Sequence, residues 1–231
     1  MSDVLAIAEA GMRSQLAALD TISHNVANVG THGFKREIRT SAPFEAQLTS
    51  AQSAEAEPAV RDFSAGALRN TGSPLQFAIE GEGWFQLRSP QGIVLTRNGA
   101  FELDRSGKLV SQQGWPVVLD SEASLGSATP SLTASNELWV NGERVARLIL
   151  ATADPSSLQA VGAGMYRSSQ KVEDAPGAGT VRQGFLEASN VDTLSEMLSL
   201  MQAMRGAETS QRVIRAYDEA LDTALTTLGE F

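Results

Sequence analysis

The feature that most constrains the fold of this chain is a pair of long helical patterns, one at each end. Between residues 4 and 29, apolar side chains recur at every third or fourth position, the spacing of one stripe along an α-helix. Only Gln15 interrupts this stripe, which consists of Leu5, Ala8, Met12, Leu19, Ile22, Val26 and Val29. Such a helix is about 39 Å long, and we expect the glycines at 30 and 33 to end it.

A second stripe runs from Thr193 to the C-terminal residue and predicts a helix about 54 Å long. Thr193 and Glu196 have the spacing of a capping box, in which each side chain satisfies a free backbone N–H of the first turn. Ser210 and Gln211 interrupt the stripe, whose members are Met197, Leu200, Met204, Ala207, Ile214, Tyr217, Leu221, Ala224, Leu228 and Phe231.

One helix of this kind alone is most simply explained by packing on a neighbouring domain. Two of them at opposite ends favour a different arrangement, because each needs a partner of similar length and the other terminus is the most available one. We therefore predict an α+β fold in which paired N- and C-terminal coiled-coil-like helices flank a central, mainly antiparallel β domain.

Between the helices, short apolar segments alternate with turn residues such as Gly81-Glu82-Gly83 and Asn98-Gly99, which accept the positive φ angles of tight turns. The segments from 75 to 119 predict a β meander with strands at 77–79, 84–87, 93–96, 100–103, 108–110 and 116–119. Further strands are expected at 137–140, 144–151 and 164–167.

Residues 40–60 are rich in Ala, Ser, Glu and Gln, contain two prolines and show no period, which is typical of a connector. The expected organisation is an N-terminal helix (1–34), an extended connector (35–74), a central β domain (75–172), a second connector (173–191) and a C-terminal helix (192–231).

Composition excludes several classes of function. The net charge is −9 and the basic residues are scattered, so the sequence lacks the cationic stripe that nucleic-acid binding requires. The chain has no cysteine, which excludes disulfides and thiolate metal sites. No basic, apolar leader and no apolar run of about 20 residues is present, so we expect neither a cleaved signal peptide nor a membrane-spanning segment.

Few residues suggest chemistry. Asp20 and His24 stand four apart on the first helix, where a solvated pair is a simpler explanation than a catalytic one, and His24 with His32 are too few for a metal site. Lys35, Arg36 and Arg39 form a short basic cluster, the usual composition of a solvated helix exit. Met197, Met201 and Met204 suit an adaptable packing surface. We expect no catalytic residue, cofactor or metal.

Three stretches resemble a known family. Residues 19–36, Leu-Asp-Thr-Ile-Ser-His-Asn-Val-Ala-Asn-Val-Gly-Thr-His-Gly-Phe-Lys-Arg, resemble the N-terminal signature of flagellar basal-body rod and hook proteins, with departures at His24 and Gly30. Residues 71–85 and 183–197 agree as well. The short length and modest β domain are more similar to the proximal rod protein than to the hook protein, with the distal rod protein as the close alternative.

The resemblance implies a structural subunit of the periplasmic flagellar rod that polymerises through its terminal helices and has no catalytic role. The implied partners are copies of itself, other rod proteins and the flagellar type III export apparatus. A secreted enzyme or adhesin with a pocket in the β domain is the alternative from another class. The expected interface residues are Leu5, Met12, Leu19, Ile22, Val26, Met197, Leu200, Met204, Ile214, Leu221 and Leu228. The signature residues are Asp20, Asn25, Asn28, Gly33, Phe34, Ser189 and Asn190.

Overall fold

The structure is a computed structural model that describes residues 2–39, 59–121, 124–126, 128–175 and 179–229. In the two terminal helices, side chains are described for 9–27 and for 193–220, 222, 223 and 226. The described residues form two compact units: a helical unit within 1–27, 36–62 and 191–231, and a β unit within 28–35 and 63–190.

The helical unit contains the two long helices that the sequence predicts. Helix α1 spans Ser2–Ala27 and α2 spans Thr193–Gly229. Two short strands, β1 (Glu37–Ile38) and β2 (Val60–Arg61), pair antiparallel in the same unit. None of the described helices is both long enough and apolar enough to cross a membrane.

The predicted capping box at the start of α2 is wrong. Asp192 caps the helix instead, because its two carboxylate oxygens accept hydrogen bonds from the backbone N–H groups of Leu194 and Ser195, each at 3.3 Å. The Glu196 backbone N–H donates to the Asp192 carbonyl at 3.0 Å. The Glu196 side chain is therefore free of any capping role and contacts other residues of the helical unit, as described below.

The β unit is antiparallel throughout its described pairings. A six-stranded sheet has the order β13-β14-β6-β5-β12-β15, a three-stranded sheet the order β11-β10-β9, and β16-β4, β17-β3 and β7-β8 form pairs. The strands are β3 (Leu68–Asn70), β4 (Phe77–Gly81), β5 (Trp84–Ser89), β6 (Gly92–Thr96), β7 (Phe101–Leu103), β8 (Leu109–Ser111), β9 (Ser131–Leu132), β10 (Glu137–Val140), β11 (Glu143–Arg147), β12 (Leu150–Thr152), β13 (Leu158–Gly162), β14 (Met165–Ser168), β15 (Glu173–Asp174), β16 (Gly179–Gln183) and β17 (Phe185–Glu187).

The predicted meander is only partly correct. β5–β6 and β7–β8 are hairpins as expected, but β4 pairs with β16, from Phe77↔Gln183 to Gly81↔Gly179, and β6 takes β14 as its second neighbour. The segment 116–119 makes only isolated bridges, since Pro116 has no N–H to donate. The single strand expected at 144–151 is divided between β11 and β12.

β16 and β17 lie within 173–191, the segment predicted to be a connector, and β3 lies within the connector predicted at 35–74. The domain bounds inferred from the sequence stay a prediction. The core of the β unit is one apolar cluster built largely from β4–β8, β10, β12, β14 and β16, in which the Phe101 ring contacts the rings of Phe77 and Phe85. A second, smaller cluster contains Trp84, Leu95 and Tyr166.

Candidate assembly surface and the signature segments

Helices α1 and α2 lie side by side in the helical unit and run antiparallel. Three contacts define their register. The Asn25 amide donates to Glu196 Oε1 at 3.3 Å, a Cβ added at Gly206 would lie 2.8 Å from Gln15 Cδ, and one added at Gly11 would lie 3.9 Å from Ser210 Oγ. From Asn25 to Gln15 to Gly11 the position on α1 falls by ten and then by four residues. The position of the partner on α2 rises by the same ten and four residues, from Glu196 to Gly206 to Ser210.

The Asn25–Glu196 and Gly11–Ser210 contacts belong to a set of buried and half-buried residues that recur along α1 and α2 in alternating steps of three and four. None of them is exposed, and Ile22, Asn25, Glu196, Ala203 and Ala207 are buried. We call this set the inner seam: Gly11, Gln15, Ala18, Ile22 and Asn25 of α1 with Glu196, Leu200, Ala203, Ala207, Ser210 and Ile214 of α2.

Gln15 and Ser210, which interrupt the apolar stripes in the sequence, therefore belong to the inner seam. Gln15 occupies the space that a side chain at Gly206 would fill, and the Ser210 hydroxyl donates to the Gly206 carbonyl at 3.1 Å. Small residues on both helices allow this close approach, so a partly polar seam packs where the sequence suggested a break.

With the inner seam at heptad positions a and d, positions e and b of both helices fall on the same side of an antiparallel pair. Apolar side chains occupy these positions and stay accessible: Leu194 is 70% exposed and Met197, Met201 and Met204 are 49–51% exposed, while Leu16 is 47% exposed. We call this surface the outer apolar face, consisting of Met12, Leu16, Leu19 and Val26 of α1 and Leu194, Met197, Met201 and Met204 of α2.

The segment carrying β1 contacts the helices through polar groups. Asn25 makes the main connection: its Oδ1 accepts from the Glu37 backbone N–H at 2.9 Å, and its Nδ2 donates to the Glu37 carbonyl at 2.8 Å. The Asn25 amide thus makes the same two hydrogen bonds to the Glu37 backbone that a neighbouring strand would make. Arg39 Nε donates to the Thr21 hydroxyl at 2.9 Å, and Arg36 Nη1 lies 3.8 Å from Glu196 Oε1.

The β unit contains a buried ion cluster formed by Lys35, Arg97 and Glu187. Lys35 Nζ donates to Glu187 Oε1 at 2.6 Å and to the Ser64 carbonyl at 2.7 Å. Arg97 Nη1 lies 3.3 Å from Glu187 Oε2, and its guanidinium stacks over the Trp84 ring at 5.5 Å. Burial lowers the pKa of Arg97, while the charge of Glu187 acts in the opposite direction.

The basic cluster at 35–39 is consequently not the solvated helix exit that the sequence suggested. Lys35 is only 1% exposed, and the Glu187 side chain has no exposed surface. The Glu187 carboxylate also accepts from the Gly66 N–H at 3.0 Å, and its carbonyl accepts from the Gly33 N–H at 2.8 Å. Lys35 and Glu187 thereby join the first and last parts of the β unit.

The signature residues 28–35 of the β unit pack around this cluster. Gly33 has a φ of +67°, and a Cβ there would lie 2.4 Å from the Arg97 carbonyl carbon, so both backbone and space require glycine. Phe34 is buried. Asn28 Oδ1 accepts from the Thr31 hydroxyl at 3.2 Å, Asn190 Nδ2 donates to the Ser64 carbonyl at 3.3 Å, and Ser189 is half-buried.

Asp20 and His24 are both exposed. His24 Nδ1 lies 3.6 Å from Glu37 Oε2, so the structure places His24 beside a carboxylate of β1. The pairing of His24 with Asp20 stays a prediction. Among the described residues, no group of three or more His, Cys, Asp and Glu side chains is placed to hold a metal ion.

The predicted interface residues divide into three sets. Ile22, Leu200 and Ile214 lie in the inner seam, whereas Met12, Leu19, Val26, Met197 and Met204 lie on the outer apolar face. The side chains of Leu5, Leu221 and Leu228 lie outside the described ones. Sequence reasoning treated Gln15 as a break in the stripe and did not single out Gly206, Arg97 or Glu187. Glu187 lies in a stretch that resembles the family, where it is a lone acid between apolar neighbours.

A helical unit with one satisfied seam and one exposed apolar face is typical of a structural subunit that packs against another protein. Three family models match the chain: "Flagella basal body rod protein" at residues 5–35, "Flagellar hook protein FlgE/F/G D1 domain" at 78–136 and "Flagellar basal body rod FlgEFG protein C-terminal" at 182–227. The chain belongs to the flagellar basal-body rod protein family.

Curated relatives cover nearly the whole chain. The chain is 32% identical to the flagellar basal-body rod protein FlgF of Mesorhizobium japonicum, with 99% of each covered. It is 33% identical to FlgF of Rhizobium meliloti, with 94% of this chain and 95% of the relative covered. It is 30% identical to the flagellar basal-body rod protein FlgG of Borreliella burgdorferi, with 97% of this chain and 98% of the relative covered.

Proposed function

We propose that this chain is a structural subunit of the proximal part of the flagellar rod and that it polymerises through α1 and α2 to form part of the torque-transmitting shaft. Full-length similarity to two FlgF proteins supports the proximal position. A subunit of the distal rod is the second candidate, because FlgG relatives match over a similar share of the chain.

The observation that carries this proposal is the outer apolar face. In a single chain its four α2 side chains are 49–70% exposed, which leaves an apolar surface in water. Burying the rest of each side chain contributes on the order of 1 kcal/mol. A coiled-coil-like pair of α1 and α2, held by the inner seam, would present this face to neighbouring subunits, and many such contacts would carry torque along the shaft.

The same physics fits a subunit that is exported before it assembles. Helices with a single buried seam are marginal until further surface is covered, so we propose that α1 and α2 become fully ordered on docking. We further propose export through the flagellar type III apparatus with the α1 residues retained, assembly in the periplasm and no enzymatic role. Mass spectrometry of the N-terminus of the assembled protein tests the retention of α1.

The test of the main proposal compares two substitutions at adjacent exposed positions of α2. Met201→Asp places a carboxylate on the outer apolar face, which is costly to bury, whereas Gln202→Asp adds the same charge about 100° around the helix. We expect Met201→Asp to be lost from isolated basal bodies and to abolish swimming, and Gln202→Asp to behave as wild type. Tryptophan fluorescence verifies that the β unit stays folded in both.

Two results would contradict the proposal in different ways. Normal incorporation of Met201→Asp would show that this face is not an assembly surface. Absence of the wild-type chain from isolated basal bodies would contradict the rod assignment itself. Electron cryotomography of basal bodies with the chain labelled would separate the proximal position from the distal one.

A further inference from the structure

Helix α2 is longer than its partner. In the register set by the Asn25–Glu196, Gln15–Gly206 and Gly11–Ser210 contacts, the first residue of α1, Ser2, lies opposite Glu219. Helix α2 continues to Gly229. The last ten residues, 220–229, therefore extend about 15 Å past the described end of α1. We call this segment the C-terminal overhang.

The sequence of the overhang continues the heptad spacing of the inner seam. Leu221, Ala224 and Leu228 occupy the next a and d positions after Ile214 and Tyr217. Among the described residues of α1, none lies opposite these positions, because α1 begins at Ser2. Asp222 is the single charged residue between 220 and 229, so little charge has to be desolvated when the seam of the overhang is covered.

The outer apolar face is a second surface whose described side chains stay exposed. On α2 it runs from Leu194 to Met204, eleven residues or about 15 Å, which is close to the length of the overhang. The two surfaces cannot meet within one chain. Position 224 is 23 residues from position 201 on the same helix, about 35 Å away.

We propose that the C-terminal overhang of one copy packs on the outer apolar face of a second copy. The proposal deepens and rests on the proposed function, because it names the partner and the orientation of the assembly contact. Two different surfaces meet, so the contact is heterologous and each bound copy presents a free overhang or a free face to the next one. Such a contact can repeat from copy to copy, and it produces an open row of subunits when the rotation between copies does not close.

The absence of cysteine from the chain makes disulfide cross-linking a direct test. The variant Met201→Cys/Ala224→Cys places one thiol on the outer apolar face and one in the overhang. A disulfide joins Cα atoms less than about 7 Å apart, so the roughly 35 Å between these positions in one helix forces any link between them to join two chains. The matched control is Gln202→Cys/Ala224→Cys.

Both variants are oxidised as concentrated purified protein and, separately, in isolated basal bodies, after circular dichroism has shown that their helix content equals that of wild type. We expect a ladder of dimers and longer multimers from Met201→Cys/Ala224→Cys, formed at least about tenfold faster than from the control. Peptide mass spectrometry should find residue 201 joined to residue 224. Leu221→Asp added to the same variant should abolish the ladder.

Each other outcome has a definite meaning. Equal ladders from both variants, or none in either setting, would overturn the proposal. A link from residue 224 to a different rod protein would overturn the assignment of a second copy as the partner. Basal bodies that contain the chain without the 201–224 link would refute the contact and leave the rod function standing. A ladder in solution from a chain that is absent from basal bodies would support the contact and refute the rod function.

Discussion

Lys35 Nζ and Glu187 Oε1 lie 2.6 Å apart with both side chains buried, although 152 positions separate the two residues in the chain. The contact joins the N-terminal signature to the stretch just before α2. Because Arg97 also reaches this carboxylate, the cluster holds two cations and one anion away from water. A buried pair of this kind does little to stabilise a fold by itself, but removing one member is costly because buried polar groups lose their hydrogen-bond partners.

Lys35→Met leaves the Ser64 carbonyl and Glu187 Oε1 without the ammonium group, while Arg97 still contacts the carboxylate. We expect this change to destabilise the β unit by about 2–4 kcal/mol. Urea unfolding followed by tryptophan fluorescence measures this, because the tryptophans at 84, 115 and 139 all belong to the β unit. Lys171→Met, at an exposed lysine of the same unit, is the matched control and should change stability by less than about 0.5 kcal/mol. Equal effects of the two substitutions would show that the buried pair has no special role.

The glycines at 11 and 206, where α1 and α2 contact each other, should respond differently to substitution. A Cβ at Gly11 would meet only Ser210 Oγ, at an ordinary 3.9 Å. Gly11→Ala should thus stabilise the helical unit by about 1 kcal/mol, the difference in helix propensity. Gly206→Leu should lower its stability, because even a Cβ there lies 2.8 Å from Gln15 Cδ. Thermal unfolding followed at 222 nm measures both changes, and a stabilising Gly206→Leu would contradict the register.

Asn25 should be the most sensitive polar residue of the helical unit. Asn25→Ala leaves the Glu37 N–H and carbonyl and the buried Glu196 carboxylate without their amide partner. Each unsatisfied group costs about 1–3 kcal/mol, so we expect a loss of at least about 2 kcal/mol by the same thermal measurement. The control Gln202→Ala changes an exposed side chain of the same unit. A loss for Gln202→Ala as large as that for Asn25→Ala would contradict this role.

The sequence predicted α1 and α2 well because a helical period repeated over more than 25 residues is a strong local signal. It failed at Gln15 and Ser210, which were treated as breaks. A seam is expected to be apolar, but beside Gly206 and Gly11 the helices approach closely enough for small and amide side chains to fill the space. The spacing of each stripe is visible in the sequence. The side of the stripe that contacts the other helix depends on the residues of that helix, which the local sequence does not show.

The misassigned parts of the β unit share one cause, which is long-range pairing. β4 takes its partner β16 about 100 residues later in the chain, with Phe77 opposite Gln183, and no local pattern in residues 75–119 indicates this. Lys35 was expected in water because lysines rarely lie in a core. Its burial depends on Glu187, whose position in space cannot be read from its neighbours in sequence.

The surface cluster of Asp120, Glu137, Arg144 and Arg147 predicts how the β unit responds to acid. Partial burial alone would raise the pKa of Asp120, but the Arg147 N–H at 2.7 Å and the Arg144 guanidinium outweigh it and hold that pKa below its usual value. Hydrogen bonds from Arg147 and Arg144 likewise lower the pKa of Glu137. Both carboxylates thus stay ionised in the folded state at a pH where the unfolded chain would bind protons.

The sign of the effect follows by linkage. A carboxylate with a lowered native pKa stabilises the fold at pH values above its unfolded pKa, which is near 4. This contribution disappears as the pH falls through the native pKa. Removing Arg144 should bring the pKa values of Asp120 and Glu137 closer to their ordinary values. Arg144→Gln should therefore reduce the difference between the urea midpoints measured at pH 6 and at pH 3. The control Arg105→Gln, at an exposed turn, should keep the wild-type gap. Because the other carboxylates are the same in all three proteins, the difference between the variants isolates this cluster. An unchanged gap in Arg144→Gln would show that its ion pairs do not persist in solution.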